Sequence, residues 1–213
     1  MKKYVIAGVQ GCGKGTQAKM LADGFGLVHI SVGDIFRWNV QNKTKLAAKV
    51  KRIMESGQLV PDGIVIDLVQ ERLEEHDWNH GFILDGFPRN KPQAEFFLEN
   101  YDVDAVIHIE VPDRVVMDRI LARRLCKSCK RDYNLLFSPP AVEGVCDNCG
   151  GEVVARPDDN EEAVRTRLEA YHKETKPVLD LFKKKEAVIN VDGTKKPAKV
   201  QAEIRAKLPA LQG

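Results

Sequence analysis

No stretch of this chain approaches the length of apolar sequence needed to cross a bilayer. Charge of either sign is also not in excess. The 33 Lys and Arg stand against 31 Asp and Glu, and a net charge of +2 gives no reason to expect general binding to nucleic acid or to a membrane surface. Two lysines precede the first apolar run, but that run ends at Gln10, too short for a signal peptide, and the expected compartment is the cytoplasm. Cysteine is scarce and unevenly placed. Four of the five fall in two C-x-x-C pairs, and without an export signal disulfides are not expected. Internal repeats and low-complexity tracts are lacking too. What remains is an ordinary soluble composition, 43% hydrophobic and 30% charged over 213 residues, enough for one substantial domain with an insertion and a good core.

What is present starts with a short apolar run, Tyr4-Val5-Ile6-Ala7, then Gly8-Val9-Gln10-Gly11-Cys12-Gly13-Lys14-Gly15-Thr16, then a helix-like segment from Gln17. Strand, glycine-rich turn and helix form the context of a phosphate-binding loop. The glycines let backbone approach an anion closely, several N–H groups converge on it, and Lys14 adds a full positive charge. The strict pattern puts Ser or Thr directly after the lysine to hold Mg²⁺; here Gly15 comes first and then Thr16. That argues against a motor or GTPase-type site with a direct hydroxyl ligand. Cys12 lies where Lys14 and a helix N-terminus favour a thiolate, but we prefer the plainer reading that a small residue is needed there.

Further strands are expected at Val28–Ile30, Phe82–Asp85, Ala105–Val111 and Val188–Val191. Helices are expected from Gly33, from a Thr44 cap towards Glu55, over Val65–Leu73, from Asp113 through Arg124, over Glu161–Lys185 with a break at Pro177, and from Pro197 to about Leu208. Short buried strands alternating with amphipathic helices imply α/β architecture, a parallel sheet covered on both faces. Only residues 125 to 155 break the rhythm and read as a small insertion.

Three constellations carry chemistry. Asp85 ends an apolar strand, where a carboxylate partner of a phosphate-binding loop orients water on Mg²⁺. Arg37, Arg89, Arg119, Arg123, Arg156 and Arg167 form a set suited to phosphoryl transfer, which needs charge neutralisation and alignment rather than covalent help. A guanidinium grips phosphate oxygens in two places. Cys126, Cys129, Cys146 and Cys149 spell C-x₂-C-x₁₆-C-x₂-C, within the tetrathiolate zinc pattern. A redox role competes poorly, since the pairs lie in an insertion and not beside a strand–helix turn.

The loop Gly-x-x-Gly-x-Gly-Lys-Gly-Thr-Gln resembles that of the nucleoside monophosphate kinases, the adenylate kinase family in particular. The resemblance runs from about Lys3 to Leu208. It is carried further by Ile30-Ser31-Val32-Gly33-Asp34-Ile35-Phe36-Arg37, by Asp85-Gly86-Phe87-Pro88-Arg89 with Gln93, by Asp118-Arg119 and Arg123-Arg124, by Arg156-x-Asp158-Asp159 and Arg165-x-Arg167, and by Asp192-Gly193-Thr194-Lys195. It implies a P-loop three-layer fold with a central parallel five-stranded sheet. Residues 1–30, 61–121 and 160–213 would be the core, 31–60 a helical monophosphate-binding arm, and 122–159 a small zinc-bearing ATP lid.

The implied activity is reversible phosphoryl transfer from Mg·ATP to AMP, giving two ADP, with no covalent nucleophile. Gly11, Cys12, Gly13, Lys14, Gly15 and Thr16 would hold ATP, with Arg119, Arg123, Asp132, Tyr133 and Lys195. Ser31, Val32, Arg37, Gln58, Leu59, Val60, Gly86, Phe87, Pro88, Arg89 and Gln93 would hold AMP, with Arg156 and Arg167. Lys14, Arg89, Arg123, Arg156 and Arg167 would be catalytic, and Asp34 and Asp85 would organise Mg²⁺ through water. Zn²⁺ on the four cysteines would be structural, and a cis bond would precede Pro88. The partners would be ATP, AMP and ADP, with neither nucleic acid nor membrane, on a monomer.

Two rivals stay open. Asn90 and Val32 suit a UMP/CMP-type kinase, which the long lid opposes. A nucleic-acid-binding zinc ribbon fused to an ATPase would want basic and aromatic residues around the knuckles, where this chain has Glu143, Asp147 and Glu152.

Overall fold

In the computed structural model, which describes residues 2–77, 79–156, 158–185 and 188–208, the five apolar runs form one sheet. Strands β1 (Lys3–Ala7), β2 (Val28–Ser31), β3 (Phe82–Asp85), β4 (Ala105–Glu110) and the last strand, β8 (Val188–Asp192), lie in the order β2-β3-β1-β4-β8. Every neighbouring pair is parallel, with Val5 beside Leu84 on one side and Val106 on the other. These runs are apolar on both faces because both faces are covered. Tyr4, Ile6, Ile83, Ile107 and Ile109 pack with Leu21 of α1 (Lys14–Phe25), Ile120 of α6 (Asp113–Leu121), Val164 of α7 (Glu161–Ala170) and Ile204 of α9 (Pro197–Lys207). Val5, Phe82, Leu84 and Val106 pack with Val69 of α4 (Asp62–Glu74), Phe97 of α5 (Lys91–Asn100) and Phe182 of α8 (Val178–Lys185). Helices α2 (Val32–Gln41) and α3 (Lys45–Glu55) join the second layer through Phe36 and Val50.

Several helix starts follow from capping chemistry. Ser31 Oγ accepts from the Asp34 N–H, Asn90 Oδ1 from the Gln93 N–H, and Asn160 Oδ1 from the Ala163 N–H. Thr44 stands at the expected cap of α3, but its hydroxyl donates to Asn39 Oδ1 at 2.6 Å instead of capping the helix. The helix expected through Arg124 stops at Leu121, and Arg123 opens a strand. The break expected at Pro177 is prepared earlier by a π-helical turn, Tyr171–Thr175, closed by the Lys176 N–H on Tyr171 O at 2.8 Å.

The insertion carries its own antiparallel sheet. β5 (Arg123–Cys126) lies between β6 (Asp132–Asn134) and β7 (Val153–Val154). Its buried cluster is small: Cys126, Tyr133, Cys146 and Val153.

Candidate active site

The carboxyl end of β1 runs directly into the glycine-rich loop. Gly13 caps α1 at φ 104°, a left-handed conformation that glycine adopts without strain. Gly8 is required for space as well: a Cβ there would lie 2.5 Å from Ile109 O and 2.8 Å from Cys12 Sγ. Lys14 folds back over the loop, donating from Nζ to Gly8 O at 2.7 Å and Val9 O at 2.8 Å. Cys12 is buried, and that burial pushes its thiol pKa up despite Lys14, which fits the small-residue reading.

The loop forms one wall of a cavity of about 860 Å³. All nucleotide-site residues expected from sequence line it. They come from the loop (Gly11, Cys12, Gly13, Lys14, Gly15 and Thr16), from α2 and its approach (Ser31, Val32, Asp34 and Arg37), and from the connector before α4 (Gln58, Leu59 and Val60). The turn after β3 adds Asp85, Gly86, Phe87, Pro88 and Arg89, with Gln93 from α5, and the Phe87–Pro88 bond is cis. Arg119, Arg123, Asp132, Tyr133, Arg156, Arg167 and Lys195 complete the wall from the far side.

The arginines are held by specific partners. Arg37 meets Asp34 at 2.6 Å, and although burial opposes its charge, Arg37 holds the Asp34 carboxyl below the usual carboxylate range. Arg123 makes two bonds to Asp159, at 2.7 and 2.5 Å; burial opposes its charge, but Asp159 wins and raises its pKa. Arg156 is paired with Asp132, which also binds Lys19 at 3.1 Å and so ties β6 to α1. Arg167 donates to Asp158 O at 2.9 Å, Asp158 Oδ2 at 3.1 Å and Met54 O at 2.7 Å. Arg119 donates to Gly193 O at 2.9 Å.

Arg89 differs from the rest. Its Nε donates to Gly86 O, but among the described residues its terminal nitrogens meet no acceptor. Burial, then the nearby Arg167, lowers its pKa, with Asp85 pulling the other way. A half-buried cationic fork with no counter-ion among the described residues is a site for an anion.

Asp85 Oδ2 lies 3.4 Å from His29 Nε2 and faces Gly15 of the loop. Tyr133 lines the cavity, but its hydroxyl is turned to Cys146 Sγ at 3.2 Å and accepts the Asp147 N–H at 2.8 Å. Sequence reasoning passed over Phe137, which lies with its ring 5.4 Å from the Arg119 guanidinium on the cavity wall. The available signal was an aromatic residue closing the apolar run Leu135-Leu136-Phe137 in the insertion.

The four cysteines lie outside the cavity. Their sulfurs all fall within 4.8 Å of one another, with Cys126–Cys149 and Cys129–Cys146 at 3.5 Å. A tetrahedral tetrathiolate site with bonds of about 2.3 Å has sulfur–sulfur edges of about 3.8 Å, so the donor set fits zinc. With all four positions supplied by protein, the ion would cross-link the insertion and leave no open place for chemistry.

Loop, cavity and arginine ring together define a P-loop phosphotransferase of the kind that acts between two nucleotides. Residues 6–187 match the family model for adenylate kinase. Curated adenylate kinases are similar over nearly the whole chain. That of Geobacillus sp. is 46% identical, covering 98% of this chain and 99% of its own, and that of Methanocella arvoryzae is 44% identical with the same coverage. That of Clostridium tetani is 44% identical, covering 97% and 98%. The chain belongs to the adenylate kinase family.

Proposed function

We propose that this chain carries the reaction of its family, the reversible transfer of the γ-phosphoryl group of Mg·ATP to AMP to give two ADP. An AMP phosphate oxygen attacks the γ-phosphorus, the bond to the β,γ-bridging oxygen breaks, and its electrons leave with ADP. One observation carries the reading: Lys14 and six arginines line one cavity, and the half-buried Arg89 fork among them meets no acceptor among the described residues. Two phosphorylated reactants supply the negative charge that such a cavity lacks.

In this reading Gly11–Thr16, Arg119, Arg123, Asp132, Tyr133 and Lys195 hold ATP. Ser31, Val32, Arg37, Gln58, Leu59, Val60, Gly86–Arg89 and Gln93 hold AMP. Lys14, Arg89, Arg123, Arg156 and Arg167 offset charge on the group in flight. Asp34 and Asp85 would be the carboxylates that organise Mg²⁺ arriving with ATP, which would offset phosphate charge; Asp34 is paired with Arg37 and would have to release it. Residues 31–60 act as the closing AMP arm and 122–159 as the ATP lid over a core of 1–30, 61–121 and 160–213, excluding water from the reacting phosphate. The enzyme works in the cytoplasm as a monomer, with zinc on Cys126, Cys129, Cys146 and Cys149; no helix among the described residues is long and apolar enough to cross a membrane.

The test is kcat/KM with ATP and each of AMP, CMP, UMP and GMP. AMP is expected to be the best acceptor. A higher value for CMP or UMP would move the assignment to a pyrimidine kinase, and no transfer to any of them would end it.

A further inference from the structure

Gln93 lines the cavity although it is only 1% exposed, and both ends of its amide are held by protein. Its Oε1 accepts the Arg89 backbone N–H at 2.9 Å, and its Nε2 donates to Asp62 Oδ1 at 2.7 Å. The same Asp62 oxygen accepts from Asn90 Nδ2 at 2.7 Å. Asn90 in turn accepts the Gln93 backbone N–H, so the first residue of α4 and the start of α5 form one closed network. A primary amide has two N–H donors and two acceptor lone pairs. One of each therefore remains for a ligand.

Their order is set by the network. Turning the amide over would place Gln93 Oε1 against the Asp62 carboxylate, acceptor against acceptor, and Nε2 against the Arg89 N–H, donor against donor. We infer that Asp62 is a positioning residue that fixes which way round Gln93 presents its amide, and so selects a 6-aminopurine over a 6-oxopurine as the accepting nucleotide. This rests on the AMP reading of the cavity. A 6-aminopurine shows an N6–H donor beside the N1 acceptor, matching the free lone pair and free N–H of Gln93. A 6-oxopurine shows the reverse, O6 acceptor beside N1–H donor, and would need the amide flipped. An ionised carboxylate enforces the choice because it only accepts; an amide at position 62 could serve either orientation. Asn90, which had pointed away from an AMP enzyme, here supplies the donor that steadies Asp62.

The experiment compares AMP with inosine 5′-monophosphate, equal in size and opposite in edge, at saturating ATP. Asp62→Asn should raise KM for AMP about fivefold with kcat within about twofold, and narrow the AMP-to-inosine preference in kcat/KM about tenfold, with KM for ATP unchanged. Asn90→Ser keeps an oxygen to cap α5 but removes the donor to Asp62, and should shift the preference the same way by less. An unchanged preference in both variants overturns the inference. So does a loss that falls equally on AMP, inosine monophosphate and ATP, the mark of a merely structural residue. Failure of the AMP reading would appear separately, as no transfer to AMP by the unmodified chain.

Discussion

The central sheet and the small sheet of the insertion are held together by different means. In the first, Phe82, Ile83, Leu84, Val106 and Ile107 are all 0% exposed, with helices on both faces. In the second, among the described residues, three strands of four, three and two residues enclose a cluster of just Cys126, Tyr133, Cys146 and Val153, while Leu136, Phe137 and Val142 face outward. Apolar burial contributes about 1.5–3 kcal/mol per large side chain and can hold a sheet only where such side chains are dense. Where they are sparse, four thiols lie within ligating distance of one another, and a metal on them would take over that task. The two parts also meet through polar bonds, Lys19 to Asp132 and Gln10 to Asp159 at 3.3 Å, which water and nucleotide can replace. A unit that a metal would tie internally, and that meets the core through such polar bonds, would suit the lid role proposed above.

Metal removal should break this comparison open most widely. Structural zinc on four thiolates is worth about 10–16 kcal/mol, at or above the most that four large buried side chains supply. A chelator should expose residues between Lys127 and Glu152 to protease while the helical circular dichroism of the core persists, and metal analysis should find one zinc per chain. Protein purified without chelator, with thiols intact and no zinc, would sink the idea.

Next in size is a pair of Phe to Ala changes. Phe97 is fully buried and packs edge-on to Phe87 with ring centroids 5.8 Å apart, so Phe97→Ala should cost about 3–5 kcal/mol in urea unfolding. Phe137 is 64% exposed, and Phe137→Ala should change stability by no more than about 0.5 kcal/mol. Equal losses would mean that the insertion has an apolar core after all.

Arg123 stands at the seam of the two regions, and Arg123→Lys tests what the seam is for. Lysine keeps a charge near Asp159 but loses the two-pronged grip on phosphate. Turnover should fall about 100-fold, which is about 2.7 kcal/mol, while the unfolding midpoint moves little. Unchanged turnover would remove Arg123 from the reaction.

How much of this could be read from sequence differs between the same two regions. Strands such as Phe82–Asp85 are apolar on both sides and announce themselves, and the glycine loop with its lysine marks where phosphate goes. The strand Arg123–Cys126 does not. Arg-Arg-Leu-Cys is compatible with the end of a helix, and only pairing with Asp132–Asn134 and Val153–Val154 makes it extended. In the site, most residues lining the cavity were legible because they are tied to local motifs, whereas Phe137 was not. Their partners were not: Arg123 with Asp159 and Gln93 with Asp62 join positions 36 and 31 residues apart, and such pairings exist only after folding.

The smallest effect sharpens the account of the central sheet, whose strands are not wholly apolar. His108 of β4 is 3% exposed, with Nδ1 3.0 Å from Asn190 Oδ1 and Nε2 2.9 Å from the Tyr171 hydroxyl. Burial pulls its pKa below 6.5. The Asn190 bond and Glu110 push the other way without prevailing, and Lys176 and Lys183 add to the lowering. The folded chain therefore resists a proton that the unfolded chain takes up as pH falls through about 6.5. Stability from this group is complete above that pH and is lost as pH falls towards the folded pKa, at no more than about 1.4 kcal/mol per pH unit. His108→Gln keeps a donor and an acceptor but cannot titrate. Urea midpoints measured from pH 8 to pH 5.5 should decline in the parent and stay nearly level in the variant. Both proteins contain the acidic side chains that titrate lower still, so the difference between the two curves isolates the histidine. Parallel curves would mean that His108 accepts its proton inside the fold, and that the central sheet tolerates a buried charge beside β8.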